Sequence, residues 1–162
     1  MNILNQYSYP LIAFGVMVVV YLIMRRQLRQ SWPVTVGVQG VIALAFVAGF
    51  LLLRPGLSGV TNADAALESV GNGRPTFVEF FSSYCSGCLA FNPIVNEIES
   101  DIQDEYNVLR IDIHSSAGRT LRPALGFSFT PEFVLYDPAG NEVWRDHIPP
   151  TSAQIESARQ SG

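Results

Sequence analysis

The sequence predicts an α/β domain built on a central mixed sheet and attached to a two-helix apolar hairpin. Three observations carry this reading. Residues 7–24 and 34–53 are uncharged, largely apolar runs, and the only charged side chains among residues 1–53 are Arg25, Arg26 and Arg29. From residue 61 onward, short apolar runs alternate with stretches of helical spacing in the order α–β–α–β–α–β–β–α, a pattern that needs a sheet with helices packed on it. Finally, Phe77-Val78-Glu79-Phe80-Phe81, bounded by Arg74-Pro75 and Ser82-Ser83, reads as a strand buried on both faces. It runs straight into Cys85-Ser86-Gly87-Cys88 and then into a helical run of Leu89, Phe91, Ile94, Val95, Ile98 and Ile102.

The 162 residues are 48% hydrophobic and only 15% charged. All 14 acidic residues fall at or after Asp64, and all ten basic residues are arginine. A transmembrane helix needs about 20 apolar residues. Residues 34–53 meet that length and residues 7–24 sit at its short end. A signal peptide is the alternative for the first run, with Ala63-Asp64-Ala65 as a cleavage-like triplet. Against it, arginines follow the apolar run instead of preceding it. The short linker 25–33 makes the two runs a hairpin. Its three arginines favour the cytoplasmic side, which places both termini and the downstream domain in an extracytoplasmic space: periplasm, cell exterior or lumen. Gly37, Gly40, Ala45 and Gly49 are candidates for close helix packing.

The division is therefore a membrane anchor over residues 1–60, with a tether at 54–60, and a folded domain over 61–162. In order, Thr61 or Asn62 caps a short helix through Val70, and Gly71-Asn72-Gly73 ends it. After the strand and helix around the cysteines come a strand at 107–113 and a short helix at 119–125. A strand at 132–136, the turn Asp137-Pro138-Ala139-Gly140-Asn141, a strand at 142–147 and a last helix near 151–160 complete the domain. That domain holds six arginines against 14 acidic residues, a net of −8. Such a balance argues against nucleic acid or an anionic membrane surface as a partner. Glu97, Glu99, Asp101, Asp104 and Glu105 are expected to form a solvated helix face.

Cys85 falls at a helix N-terminus and Cys88 one turn in. The free N–H groups of a first helical turn stabilise a thiolate, which is the reactive form of cysteine. The i, i+3 spacing puts both sulfurs on one face, within bonding reach. The pair can therefore cycle between dithiol and disulfide, with Cys85 attacking and Cys88 resolving. A purely structural disulfide is the alternative, though so short a loop stabilises little. A zinc site needs two further ligands, and His114 and His147, the only histidines, match no usual spacing. Glu79 lies on a strand predicted to be buried, where a carboxyl needs a partner or stays protonated. If it instead sat at a sheet edge it would face solvent.

These residues resemble the thioredoxin family across roughly residues 61–160. The likeness rests on Val78-Glu79-Phe80 leading to Cys85-Ser86-Gly87-Cys88, on Pro93 in the following helix, on Thr130-Pro131 before Phe133-Val134-Leu135-Tyr136, and on the turn before Glu142-Val143-Trp144. The resemblance implies a thioredoxin-like fold whose usual first strand is missing or very short. It implies that Cys85 and Cys88 are catalytic and that Glu79 moves protons for Cys88. It implies that Pro131 is cis, although a trans proline starting an edge strand is the alternative. Tyr84, Ser86, Gly87, Thr130 and Pro131 become the expected client contacts, Thr130 through its backbone. Arg110 stands where many relatives carry a lysine, which suggests a Glu79–Arg110 pair. Tyr84 and the Ser86-Gly87 dipeptide depart from the usual Trp and Gly-Pro.

The resemblance further implies a membrane-tethered thiol–disulfide oxidoreductase that uses the Cys85–Cys88 redox-active disulfide and no other cofactor or metal. Its layout is similar to the anchored thioredoxin-like proteins of cytochrome c maturation. The implied partners are a protein disulfide or dithiol client, a membrane electron-carrying thiol protein and the lipid bilayer. A disulfide-forming oxidase and a non-enzymatic client-binding factor remain as alternatives.

Overall fold

The structure is a computed structural model and describes residues 3–27, 29–56 and 59–161. A single turn of helix, α1 (Ile3–Gln6), leads into α2 (Ser8–Arg26) and α3 (Trp32–Leu53). The domain follows as α4 (Ala63–Ser69), β1 (Thr76–Phe81), α5 (Ser86–Ile102), β2 (Asn107–Asp112), α6 (Ser116–Ala124), β3 (Glu132–Tyr136), β4 (Glu142–Asp146) and α7 (Ser152–Gln160). The order of elements is the predicted one, and no strand precedes β1 among the described residues. The helix expected at 119–125 starts earlier because Ser115 caps it, its hydroxyl accepting from Gly118 N–H at 2.9 Å.

The strands run in the order β2-β1-β3-β4. β1 pairs in parallel with β2 and antiparallel with β3, and β3 pairs antiparallel with β4. β1 and β3 are therefore central, which explains why every residue of both is buried. Alternation along them sorts two cores. Val78, Phe80, Val134 and Tyr136 face α4 and α6 with Ala66, Ala117 and Leu121. Phe77, Phe133 and Leu135 face α5 and α7 with Val95, Ile102 and Ala158. Period two then assigns Glu79 and Phe81 to the α5 side, beneath the helix that carries the cysteines.

The turns are held by specific contacts. Asp137 accepts from the backbone N–H groups of Ala139 and Asn141 at 2.9 and 2.8 Å, closing the β3–β4 turn. Gly140, at φ +86°, lies against Gly71, at φ +83°, and a side chain on Gly71 would come within 2.9 Å of the Ala139 carbonyl. The two turns thus meet backbone to backbone. Arg74 spans the end of α5 and donates to the carbonyls of Asp104, Tyr106 and Glu105 at 2.8, 3.3 and 3.4 Å. A cation is favoured at that helix terminus.

α2 and α3 are long and apolar enough to cross a membrane. They are not core helices of the domain: Leu44, Leu52 and Val41 are 70%, 82% and 67% exposed. So broad an apolar surface on a water-facing monomer is unusual. Between them, the Tyr9 hydroxyl donates to Phe46 O at 2.5 Å and the Gln39 side chain donates to Met17 O at 3.0 Å. The small-residue expectation holds only in part. Gly49 packs against the Tyr9 hydroxyl, whereas Gly37 and Gly40 meet nothing within 4 Å and Ala45 is exposed. They sit on the outer face of α3, because α2 meets that helix along the line of Gln39, Phe46 and Gly49.

Gly118 is the tightest approach in the domain. An added Cβ would lie 2.0 Å from the Asp112 carbonyl oxygen. Because that neighbour is backbone at the end of β2, Gly118→Ala should destabilise the fold by at least the ~1–3 kcal/mol of ordinary overpacking. Chemical denaturation of the full chain in detergent, followed by tryptophan fluorescence, measures it.

Candidate active site

The site begins where β1 ends. Ser82, Ser83 and Tyr84 turn the chain, Cys85 takes the N-cap position of α5, and Cys88 lies in its first turn. Cys85 has extended backbone angles of φ −87° and ψ 123°, so its side chain folds back over the helix start, and its sulfur accepts from Cys88 N–H at 3.4 Å. Both thiols are free and buried. They form a small cluster with Phe81, the last residue of β1.

The two sulfurs are chemically unequal. The Cys85 thiol is lowered to about 6. A hydrogen bond from the Cys88 thiol is the main cause and outweighs the cost of burial. The Cys88 backbone N–H and the Gly87 N–H add to it. Cys88 is pushed far up, first by burial and then by the hydrogen bond its thiol donates to the Cys85 thiolate. The Cys85 thiolate and the Glu79 carboxylate raise it further. One thiol is thus ready to attack while the other holds its proton.

The bond between Thr130 and Pro131 is cis. Thr130 O lies 3.7 Å from the Cys85 sulfur and accepts from the protonated thiol. Gly87 faces the Pro131 ring, where an added Cβ would sit 3.2 Å from Pro131 Cδ. The loop carrying Pro131 is held by residues with no role in the sequence reading. The His147 ring donates through Nδ1 to Pro131 O at 2.7 Å and stacks on Phe129 at 3.6 Å. Glu132, buried at the start of β3, accepts from the Ser128 hydroxyl at 2.7 Å and pairs with Arg145 at 3.0 Å. Nothing in the local sequence marks His147 for this role, since it reaches the loop only through the β3–β4 pairing.

Glu79 is fully buried and lies directly opposite Arg110 across the β1–β2 pair. The structure makes the pair: Arg110 Nε donates to Glu79 Oε2 at 2.6 Å. Arg110 is itself fixed by Asn92 and Asn96 of α5, at 2.8 and 2.7 Å, and by Glu99 at 3.1 Å. Glu99 makes this contact from the solvated face on which it was expected, its side chain 40% exposed. Burial raises the Glu79 carboxyl above its ordinary value, and Arg110 works against that rise by charge and hydrogen bond. Glu79 Oε1 accepts no hydrogen bond among the described residues. It keeps lone pairs available for a proton.

The hairpin reaches this site. Tyr84 stacks on Phe50 of α3 with ring centroids 6.1 Å apart, and Asn92 of α5 donates to Arg54 O at 3.5 Å. Residues 5–9 also lie on it, through Tyr84, Ser86 and Thr130. The sequence reading missed this contact because it divided the chain at residue 60.

The thioredoxin family model matches residues 60–154, more than half of the chain. The chain belongs to the thioredoxin family. Among curated proteins it is 30% identical over 111 residues to the thioredoxin-like protein HCF164, chloroplastic, of Oryza sativa subsp. japonica. That match covers 62% of this chain and 42% of the relative. It is also 30% identical over 112 residues to the thiol:disulfide interchange protein TxlA homolog of Synechocystis, covering 64% of this chain and 61% of the relative. The chain thus spans less than two thirds of either relative's length. A chain from a structural study of thiol resolution in yeast mitochondrial 1-Cys peroxiredoxin via glutathione/thioredoxin systems superposes with a TM-score of 0.50. At 14% identity over 61% of this chain and 90% of that one, it supports the fold alone.

Two outcomes follow from the site. The ultraviolet absorbance of the Cys85 thiolate should rise in one step as pH increases through about 6, with no second step from Cys88 in the neutral range. Arg110→Ala strands the Glu79 carboxylate, and breaking a buried pair in this way costs ~3–5 kcal/mol. The sign is set by the raised carboxyl. A group whose folded value lies above its unfolded one is stabilising when protonated and loses that contribution as pH rises through the folded value. The Arg110→Ala deficit should therefore shrink on acidification, as denaturation at several pH values would report.

Proposed function

We propose that this protein is a membrane-tethered thiol–disulfide oxidoreductase that reduces disulfides of client proteins on the extracytoplasmic side. The observation that carries the chemistry is the asymmetry of the pair: Cys85 lowered to about 6 and Cys88 held protonated behind it. Cys85 thiolate attacks one sulfur of a client disulfide, forming a mixed disulfide and releasing the other client sulfur as a thiolate. Cys88 then loses its proton and attacks the Cys85 sulfur. The second client thiolate leaves, and Cys85–Cys88 becomes a disulfide. Two electrons pass from this chain to the client, directly between sulfurs, with no further cofactor.

In this reading Glu79 accepts the Cys88 proton at its open oxygen, and Arg110 keeps that carboxylate in place. Tyr84, Ser86, Gly87, Thr130 and Pro131 form the client groove. An extended client segment pairs with the Thr130 backbone in the manner of strand addition. The oxidised pair is reduced again by a second thiol protein. α2 and α3 contain no cysteine, so this chain cannot relay electrons across a bilayer itself. A membrane electron carrier with its own thiols fits that role, and apocytochromes awaiting haem attachment fit as clients.

A reducing direction is favoured by the Cys85 value. Thioredoxin's nucleophile lies near ~7, whereas the strong oxidant DsbA lies near ~3.5. Neither Ser86 nor Gly87 supplies a charge to stabilise the thiolate further.

The test combines trapping with equilibrium. Cys88→Ser should accumulate a mixed disulfide through Cys85 with a disulfide-bonded substrate, and Cys85→Ser should accumulate none. Equilibration of the full chain against a thiol buffer should give a reduction potential near about −270 mV. A value near about −120 mV would instead make the protein a disulfide donor. No cycling at all would leave only client binding.

A further inference from the structure

Five consecutive residues upstream of α2 and at its start lie on the proposed client groove. The Asn5 side-chain amide donates to Thr130 O, the carbonyl next to the Cys85 thiol. Gln6 is buried, and its carbonyl accepts from the Ser82 hydroxyl at 3.1 Å. The Tyr7 ring stacks on Tyr84 at 5.6 Å and lies against His114 at 5.6 Å. The Ser8 hydroxyl accepts from Ser86 N–H at 2.9 Å, and Tyr9 N–H donates to Tyr84 O at 3.0 Å. The segment therefore bridges the two walls that flank Cys85, one formed by Thr130 and the other by Tyr84 and Ser86.

These contacts use the groups an extended peptide would use. Ser86 N–H is a first-turn donor of α5 with no acceptor inside its own helix. Thr130 O is the carbonyl beside the cis bond. Mixed-disulfide formation needs a client sulfur at bonding distance from the Cys85 sulfur, with its partner sulfur directed away. Cys85 is 1% exposed, so no such approach exists until something moves. α5 is fixed by its packing on the sheet and by Arg110. Residues 5–9 are held on the site by a few hydrogen bonds and by the ring contacts of Tyr7 with Tyr84 and His114, each of modest net strength.

We propose that residues 5–9 are a built-in occupant of the client groove, which keeps Cys85 closed until a client segment takes over the same contacts. The proposal rests on the reading of Tyr84, Ser86 and Thr130 as a client groove. It assigns that groove an intramolecular competitor, and it defines the client that opens it. Such a client is an extended segment that offers a donor to Thr130 O, an acceptor to Ser86 N–H and a flat side chain to Tyr84.

The test uses the reduced full chain in lipid nanodiscs. Alkylation of Cys85 by iodoacetamide is timed by mass spectrometry in the unmodified chain and in Asn5→Ala/Ser8→Ala, with Cys88 as the internal control. Loss of two hydrogen bonds should speed Cys85 modification roughly tenfold and leave Cys88 unlabelled. Equal Cys85 rates would overturn the proposal. If both cysteines become reactive together, the variant has loosened the domain and amide exchange in the unmodified chain decides. Among the described residues, the amides of Tyr9 and Ser86 find their acceptors across this contact, so slow exchange at both supports closure and unprotected exchange at both overturns it. If the opened variant labels quickly but neither chain exchanges disulfides with a substrate, closure stands and the oxidoreductase reading fails.

Discussion

The constraint on which everything else hangs is the position of β1. It is hydrogen-bonded to β2 on one side and β3 on the other, and helices cover both of its faces. A strand so enclosed cannot fray or slide, because a one-residue slip would exchange its two faces. The end of β1 is therefore a fixed point, and the turn after it delivers Cys85 to the start of α5 in one orientation. The same fixed point puts Glu79 under the cysteine helix, where it raises Cys88. Fold and chemistry share this one element: the register that packs Phe77 and Phe81 also aims the carboxyl.

Glu79 shows what such a placement demands. A carboxylate with no exposed surface is tolerable only with a partner. The partner comes from β2, and its guanidinium is gripped by Asn92 and Asn96 of α5. Strand, neighbouring strand and helix are thereby joined through one side chain. The exchange is between stability and reactivity. Burial makes the carboxyl a better proton acceptor than a surface one, and Arg110 works against that rise.

Much of this was legible in the sequence because it is local. The strand, the Cys-x-x-Cys pair at its end, the proline and the turn with Asp137 each announce themselves within a few residues, and their order gave the fold. The Glu79–Arg110 contact was legible only through family likeness, since 31 positions separate the two. His147 and Glu132, which hold the Pro131 loop, were not legible. Their roles arise from β3–β4 pairing, which no local pattern encodes. Residues 5–9 were hidden for a different reason. Asn, Gln and Ser before an apolar run look like the flank of a membrane helix, and only the folded hairpin brings them to Thr130.

The attachment of the hairpin to the active-site helix makes one mechanical piece of two regions that the sequence separates. Phe50, near the end of α3, stacks on Tyr84, and the Arg54 carbonyl is bound by Asn92. The start of α5 is thereby tied to the end of α3, and a swing of the domain away from the apolar helices must break both contacts. The active-site turn is anchored at its own doorstep instead of hanging from a loose leash.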